Sequence, residues 1–71
     1  MKTLHTLTKQ EAVILALVAK GWRNGQIAAE LVITTKTVET HLSRVFDKLE
    51  VSSRTQAALY AIQNGLLSQA E

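Results

Sequence analysis

Apolar and polar positions follow the 3.6-residue period of an α-helix in four separate segments of the chain. The third segment carries four apolar residues on one stripe, at spacings of 4, 3 and 4: Val38, Leu42, Val45 and Leu49. The chain has no proline and only 3 glycines, which favours helices over a turn-rich β architecture. The pattern predicts an all-α, four-helix domain, with helices over about 8–20, 24–31, 35–49 and 53–64.

Each predicted helix has its own start signal, and two have a clear stop signal. Thr8 with Glu11, and Ser53 with Gln56, have the spacing of a capping box, in which two side chains satisfy unpaired backbone amides reciprocally. The remaining signals are two single N-caps and two glycines that end helices: Asn24, Thr34, Gly21 and Gly65.

The second and third helices have the pattern of a helix-turn-helix. Ala28 is small enough for close helix crossing, although Val32 stands in the turn where glycine is often found. With Val38 taken as the inward direction and about 100° per residue, a set of polar residues points outward: Lys36, Thr40, Ser43 and Asp47, with Glu39 and Arg44 beside them. Such a ridge is either a solvated surface or a surface that enters a DNA major groove.

Length and composition limit the classes of function. The 71 residues of the chain are enough for one domain, 1–71. A net charge of +2 and a pI near 9.3 are compatible with binding to nucleic acid. There is no cysteine, no apolar run of about 20 residues and no signal peptide, so we expect a cytoplasmic protein without a membrane span. Neither a His-x-x-x-His motif nor a carboxylate cluster is present, so no metal or cofactor is predicted.

Eight short strings, in the expected order and with almost no gaps, resemble the LuxR/NarL (GerE-type) DNA-binding domain over about residues 7–67. They are LTKQE at 7–11, ILALVAKG at 14–21, NGQIA at 24–28, LVI at 31–33, TVETH at 37–41, KLEV at 48–51, RTQA at 54–57 and NGLL at 64–67. So many correctly spaced matches are far more specific than a single helix-turn-helix pattern.

The resemblance implies a bacterial transcription regulator that binds double-stranded DNA sequence-specifically, with its third helix in the major groove and a homodimer contact through the fourth. RNA polymerase is a further candidate partner. By position, the implied base contacts are Lys36, Glu39, Thr40 and Ser43. The implied backbone contacts are Asn24, Thr34, Thr37, Arg44, Ser52 and Arg54. The implied dimer contacts are Leu59, Tyr60 and Gln63.

Three departures from the family pattern affect these expectations. Gln26 and Gln10 stand where the family usually has Glu and Arg, and Glu39 stands where many members have Lys. A carboxylate at that position repels phosphate but accepts a hydrogen bond from cytosine N4, so a different target sequence is expected. The segment 20–54 carries six basic and four acidic residues, which predicts modest, strongly salt-dependent binding by a monomer.

The residues of the third helix suggest two other classes of function. Glu39 and Asp47 favour an alternative in which the domain pairs with or antagonises a LuxR-type regulator without binding DNA. A catalytic triad of His41, Ser43 and Asp47 fails, because His41 points about 160° away from Ser43 on a helix. The chain is therefore not expected to be an enzyme.

Several side chains are expected to serve packing rather than DNA binding. We expect His41 to be a hydrogen-bonded structural residue, and Glu11 to form an ion pair with Lys48 or Arg54. Trp22 is expected to cover the edge of the core. The face of the fourth helix expected to enter the core comprises Ala58, Ala61 and Ile62.

The family usually joins this domain to a receiver or ligand-binding domain, and the chain has neither. Met1 does not decide between a free-standing regulator and a C-terminal fragment of a longer one. The controlling signal, the operator and the choice between activation and repression cannot be derived from these residues.

Overall fold

The computed structural model describes residues 6–66, and these contain four α-helices and no strand. The helices are α1 (Lys9–Ala19), α2 (Asn24–Leu31), α3 (Thr35–Leu49) and α4 (Arg54–Gln63). The all-α prediction is confirmed. The predicted bounds are one residue too wide at each end of α1 and α4, because those four end residues are caps rather than helical residues.

The start signals of α1 and α3 are confirmed. Thr8 Oγ1 accepts from the Glu11 amide at 3.1 Å, and Glu11 Oε1 accepts from the Thr8 amide at 3.0 Å. Thr34 Oγ1 accepts from the Thr37 amide at 3.1 Å. Each bond satisfies a backbone amide that the helix itself leaves unpaired.

The second predicted capping box is only half correct. Ser53 Oγ does accept from the Gln56 amide at 3.1 Å. Gln56 Oε1, however, accepts from the Ser52 amide at 2.7 Å rather than from Ser53. The longer reach places the Gln56 side chain over the turn before α4.

The predicted N-cap of α2 is wrong. The cap is Arg23, whose side chain makes no capping hydrogen bond, and Asn24 is the first helical residue. Gln26 Oε1 accepts from the Arg23 amide at 2.8 Å. Asn24 does not cap because its Oδ1 accepts from the Arg54 guanidinium instead.

Three helices end in the same way, with one residue in the left-handed conformation. That residue is Gly21 (φ 95°) after α1, Val32 (φ 57°) after α2 and Glu50 (φ 59°) after α3. In each case the next amide donates to the carbonyl five residues before it, at 3.0 Å: Trp22 to Leu17, Ile33 to Ala28 and Val51 to Phe46. The missing turn glycine therefore leaves the motif intact, since Val32 adopts the conformation that glycine would adopt.

The core consists of two clusters, and α3 contributes to both. The first joins α1, the second half of α3 and α4, and contains Leu15, Ala16, Val45, Leu49, Ala57, Ala61 and Leu66. The second joins α1, α2 and the first half of α3, and contains Ile14, Val18, Ile27, Ala28, Val38 and Leu42. Phe46 packs against both clusters. The apolar stripe of α3 is thus buried along its whole length, which fixes the direction of its opposite face.

Glu11 is the one buried charged residue in the part of the chain described, at 2% exposure. Its Oε1 lies 2.7 Å from Lys48 Nζ, which confirms the predicted ion pair, so Glu11 caps α1 and binds α3 at once. Burial raises the pKa of Glu11, but the hydrogen bonds from Lys48 and from the Thr8 amide, together with the charges of Lys48 and His41, outweigh it and leave the pKa below its usual value.

The predicted inner face of α4 is partly wrong. Ala57 and Ala61 are fully buried, whereas Ile62 is 49% exposed. The two alanines lie one turn apart on the face toward α1 and α3, and Ile62 follows about 100° further round the helix. Ala58 and Trp22 are partly buried against the second cluster, as expected.

Candidate nucleic-acid interface

The outer face of α3 is a polar ridge presented to solvent. Its exposed residues are Thr35, Lys36, Glu39, Thr40, Ser43, Arg44 and Asp47. The opposite stripe is buried, with exposures of 0% for Val38, 5% for Leu42, 0% for Val45 and 4% for Leu49. All four predicted base-contact residues therefore lie on one exposed face, as the helical period requires.

Hydrogen bonds at the start of α3 orient three hydroxyl groups. Thr34 Oγ1 and Thr37 Oγ1 are 3.0 Å apart. Thr40 Oγ1 donates to the Lys36 carbonyl at 3.1 Å. The Thr40 hydroxyl proton is thus committed to the backbone, and this side chain presents an acceptor lone pair and a methyl group to the outside.

A depression of about 300 Å³ lies beside this ridge, where the starts of α2 and α4 approach α3. Its lining residues are Asn24, Glu39, Leu42, Ser43, Phe46 and Arg54. Leu42 and Phe46 form the apolar floor of this depression. Neither was predicted as a site residue, because helical periodicity places both on the side of α3 that faces the core.

The predicted backbone-contact residues are not equally available. Arg54 Nη1 donates to Asn24 Oδ1 at 2.7 Å, and Nη2 donates to the Trp22 carbonyl at 2.6 Å. The Ser52 hydroxyl donates to Gln56 Oε1 at 3.0 Å. Arg44, by contrast, is exposed on α3, and no salt bridge or hydrogen bond within residues 6–66 uses its side chain.

The charge available on this side of the molecule is smaller than the sequence count suggests. Of the six basic residues between positions 20 and 54, Lys48 is neutralised by its ion pair with Glu11, whereas Arg54 donates to two neutral oxygens and keeps its charge. On the ridge itself, Lys36 and Arg44 are balanced in number by Glu39 and Asp47.

His41 departs from its prediction. It is partly buried on the flank of α3, and its Nδ1 is buried without a hydrogen-bond partner among the described residues. The expected hydrogen bond is therefore absent at Nδ1, and the nearby carboxylate of Glu11 is bound by Lys48 and the Thr8 amide.

The residues expected at a dimer contact lie on α4 in two different environments. Leu59 is 51% exposed, and Gln63 one turn later is also exposed. Tyr60 is only partly exposed, because it packs against the first core cluster. Ile62 extends the exposed apolar stripe that begins at Leu59.

No helix within residues 6–66 is long and apolar enough to cross a membrane. The same residues contain no group of three or more His, Cys, Asp or Glu side chains that could hold a metal ion.

The family model of the bacterial regulatory proteins, luxR family, matches residues 5–61, which include the whole of α1, α2 and α3. The chain belongs to the luxR family. A family of regulatory proteins is not one of enzymes, in agreement with the expectation from the triad geometry.

Similar proteins of the luxR family are about three times longer than this chain. Transcriptional regulatory protein LiaR of Bacillus subtilis is 52% identical over 64 residues, which are 90% of this chain and 30% of LiaR. Response regulator protein VraR of Staphylococcus aureus is 52% identical over 61 residues, which are 86% of this chain and 29% of VraR.

A solved structure of the transcription factor GerE has the same fold. It superposes with a TM-score of 0.76 at 37% sequence identity, covering 84% of this chain and 90% of that chain. The resemblance to LuxR/NarL (GerE-type) domains expected from the sequence is thereby confirmed.

Proposed function

We propose that this chain is the DNA-binding part of a bacterial transcription regulator, with α3 lying in the major groove of double-stranded DNA. The observation that carries the proposal is the exposed ridge of α3, whose opposite stripe is buried along its length. Membership of the luxR family, and the similarity to the transcriptional regulatory protein LiaR and the transcription factor GerE, support it.

The four ridge residues offer different chemistry to base edges. Lys36 donates to guanine O6 or N7, and Ser43 donates or accepts. Thr40 has its hydroxyl proton committed to the Lys36 carbonyl, so it contacts a thymine methyl group or accepts from an amino group. Glu39 accepts from cytosine N4, which makes a cytosine the expected base at that point of the operator.

Phosphate contacts on either side of the groove orient the helix. Thr34 and Thr37 lie at the N-terminus of α3, where the helix dipole attracts an anion. Arg44 supplies an exposed charge from the ridge. Ser52 contributes only by redirecting its hydroxyl away from Gln56.

The exposed apolar stripe of α4 is the proposed contact between two copies on DNA. Leu59 and Ile62 are three residues apart and about half exposed, at 51% and 49%, so they lie on one face. Gln63 borders this face, whereas Tyr60 supports it from the core side. A symmetric dimer of this kind predicts a roughly palindromic operator.

The complete regulator acts in the bacterial cytoplasm, where its DNA and RNA polymerase are found. The lengths of LiaR and VraR support a further regulatory part outside the region matched here.

Selection of binding sites from a pool of random duplexes, at two salt concentrations, tests the proposal. We expect enrichment of a palindromic sequence and a steep loss of affinity with salt. Lys36→Ala should abolish the preference for guanine at one position, whereas Lys9→Ala, the same change at the start of α1, should leave the selected sequence unchanged. Absence of binding to every duplex, with capture of a LuxR-type regulator by the same chain, would support the interaction module instead.

A further inference from the structure

Arg54 is the first residue of α4, and its guanidinium group binds two acceptors inside the molecule. Nη1 donates to Asn24 Oδ1 at 2.7 Å and Nη2 donates to the Trp22 carbonyl at 2.6 Å. Both acceptors are at the start of α2 or in the turn before it. Because the guanidinium is planar and its donors are fixed relative to one another, two bonds to different residues define its orientation. Arg54 therefore ties the start of α4 to the start of α2.

The Arg54 contact also decides which end of the Asn24 amide faces outward. Asn24 Oδ1 is occupied by Arg54, and Asn24 Nδ2 donates to no acceptor within residues 6–66. Asn24 lines the depression beside the ridge together with Glu39, Ser43 and Arg54 itself. Without Arg54, the amide can rotate and present its oxygen, which a phosphate oxygen repels. With Arg54 in place, the amide presents a donor.

We propose that Arg54 is a positioning residue for DNA binding and not itself a phosphate ligand. It holds Asn24 so that Nδ2 donates to a phosphate oxygen at the edge of the groove entered by α3. This inference rests on the proposed function, and it replaces the direct backbone contact that the family resemblance implies for Arg54. Two of the five N–H donors of Arg54 are engaged by Asn24 and by the Trp22 carbonyl, and in this proposal the neutral amide of Asn24 makes the contact with DNA.

The salt dependence of DNA binding distinguishes a phosphate ligand from a positioning residue, because a cation that binds phosphate releases counterions. A cationic side chain that neutralises a phosphate adds about 0.9 to the slope of log Kd against log salt concentration, whereas a neutral amide adds nothing. Loss of a phosphate ligand therefore flattens the salt dependence. Loss of a positioning residue weakens binding at every salt concentration by the same factor.

The experiment measures Kd on a duplex selected by the wild-type chain, at four salt concentrations, for Arg54→Gln, Arg54→Lys and Asn24→Ala. Each should weaken binding about tenfold, the effect of one lost hydrogen bond to a charged group, with the wild-type slope retained. Lys preserves the charge but cannot span both acceptors, so it should not rescue binding. The double variant of Asn24 and Arg54 should be no weaker than Arg54→Gln, because one contact is lost in each.

Arg44→Gln is the matched control, since it removes the same charge from an exposed position on α3 and should reduce the slope by about 0.9. A slope reduced to the same extent in Arg54→Gln, with binding restored in Arg54→Lys, overturns the inference. Additive losses in the double variant also overturn it. Circular dichroism establishes that each variant is folded, and Arg54→Lys with Asn24→Ala decides the question should Arg54→Gln unfold. If the wild-type chain binds no duplex, the proposed function itself is wrong.

Discussion

Replacing Val32 by glycine should stabilise the protein, although it removes an apolar side chain. Val32 has φ 57° and ψ 49° and is 89% exposed. The left-handed conformation costs an L-residue about 1–2 kcal/mol, and a β-branched side chain belongs near the upper value. Glycine removes that strain but loses about 0.5–1 kcal/mol more backbone entropy on folding. The buried tenth of the side chain contributes only about 0.2 kcal/mol. We therefore expect a net gain of about 1 kcal/mol.

Thermal and urea unfolding monitored by circular dichroism measure the effect of Val32→Gly. A gain of about 1 kcal/mol raises Tm by about 4–8 °C in a domain of this size, with an unchanged urea m-value. Val13→Gly is the control: the same substitution in the middle of α1, where the backbone is helical and Val13 is 38% exposed, should lower the free energy of unfolding by about 1–2 kcal/mol through lower helix propensity and lost burial together. An unfolding temperature for Val32→Gly at or below that of the wild type would refute the argument from backbone strain.

Three further predictions concern the ion pair, the ridge and α4. Glu11→Gln should lower the free energy of unfolding by about 2 kcal/mol at pH 7, since it leaves Lys48 without its buried partner. Because the Glu11 pKa is lowered on folding, this contribution is complete above the usual value near 4.5 and is lost as the pH falls through the lowered pKa. Glu39→Lys should steepen the salt slope by about 0.9 and remove the preference for cytosine. Leu59→Asp with Ile62→Asp should prevent two copies from occupying a palindromic duplex, as measured by analytical ultracentrifugation.

Each of these predictions has a specific contrary result. Urea titrations at pH 7, 5 and 3 test the prediction for the ion pair. It is contradicted if the difference in free energy of unfolding between the wild type and Glu11→Gln stays constant as the pH falls. Site selection that returns the same operator for Glu39→Lys removes Glu39 from base reading. The α4 double variant needs a cooperative melting curve as its control, because about half of each replaced side chain is buried and each substitution should lower stability by about 1 kcal/mol. Unchanged two-copy occupancy would then place the dimer contact elsewhere.

The ridge of α3 is the part of the site that sequence periodicity predicted well. One stripe of four apolar residues fixes a single inward direction for a 15-residue helix, and everything opposite must face solvent. The caps at Thr8 and Thr34 were equally predictable, because each bond spans three residues. The ridge and these caps depend only on residues close together in sequence, so their spacing is sufficient to predict them.

The interactions of Asn24 and Arg54 could not be predicted in this way. Asn24 has the side chain of a good N-cap, but Arg54, which lies 30 residues away in sequence, occupies its oxygen. Val32 and Glu50 adopt the left-handed conformation of glycine because the apolar residues on either side of each turn are held by packing. In both cases a contact between distant segments overrides a local preference.

The amino-acid sequence by itself determined the four helices, the buried apolar stripe of α3 and the outward direction of the polar ridge, since these follow from spacing within about 15 residues. Only the tertiary structure decided that Glu11 joins α1 to α3, that Ile62 lies outside the core and that Arg54 donates to Asn24 and to the Trp22 carbonyl. The physical reason is that helix periodicity specifies the face on which a side chain lies, whereas its hydrogen-bond partner depends on which helices pack beside that face.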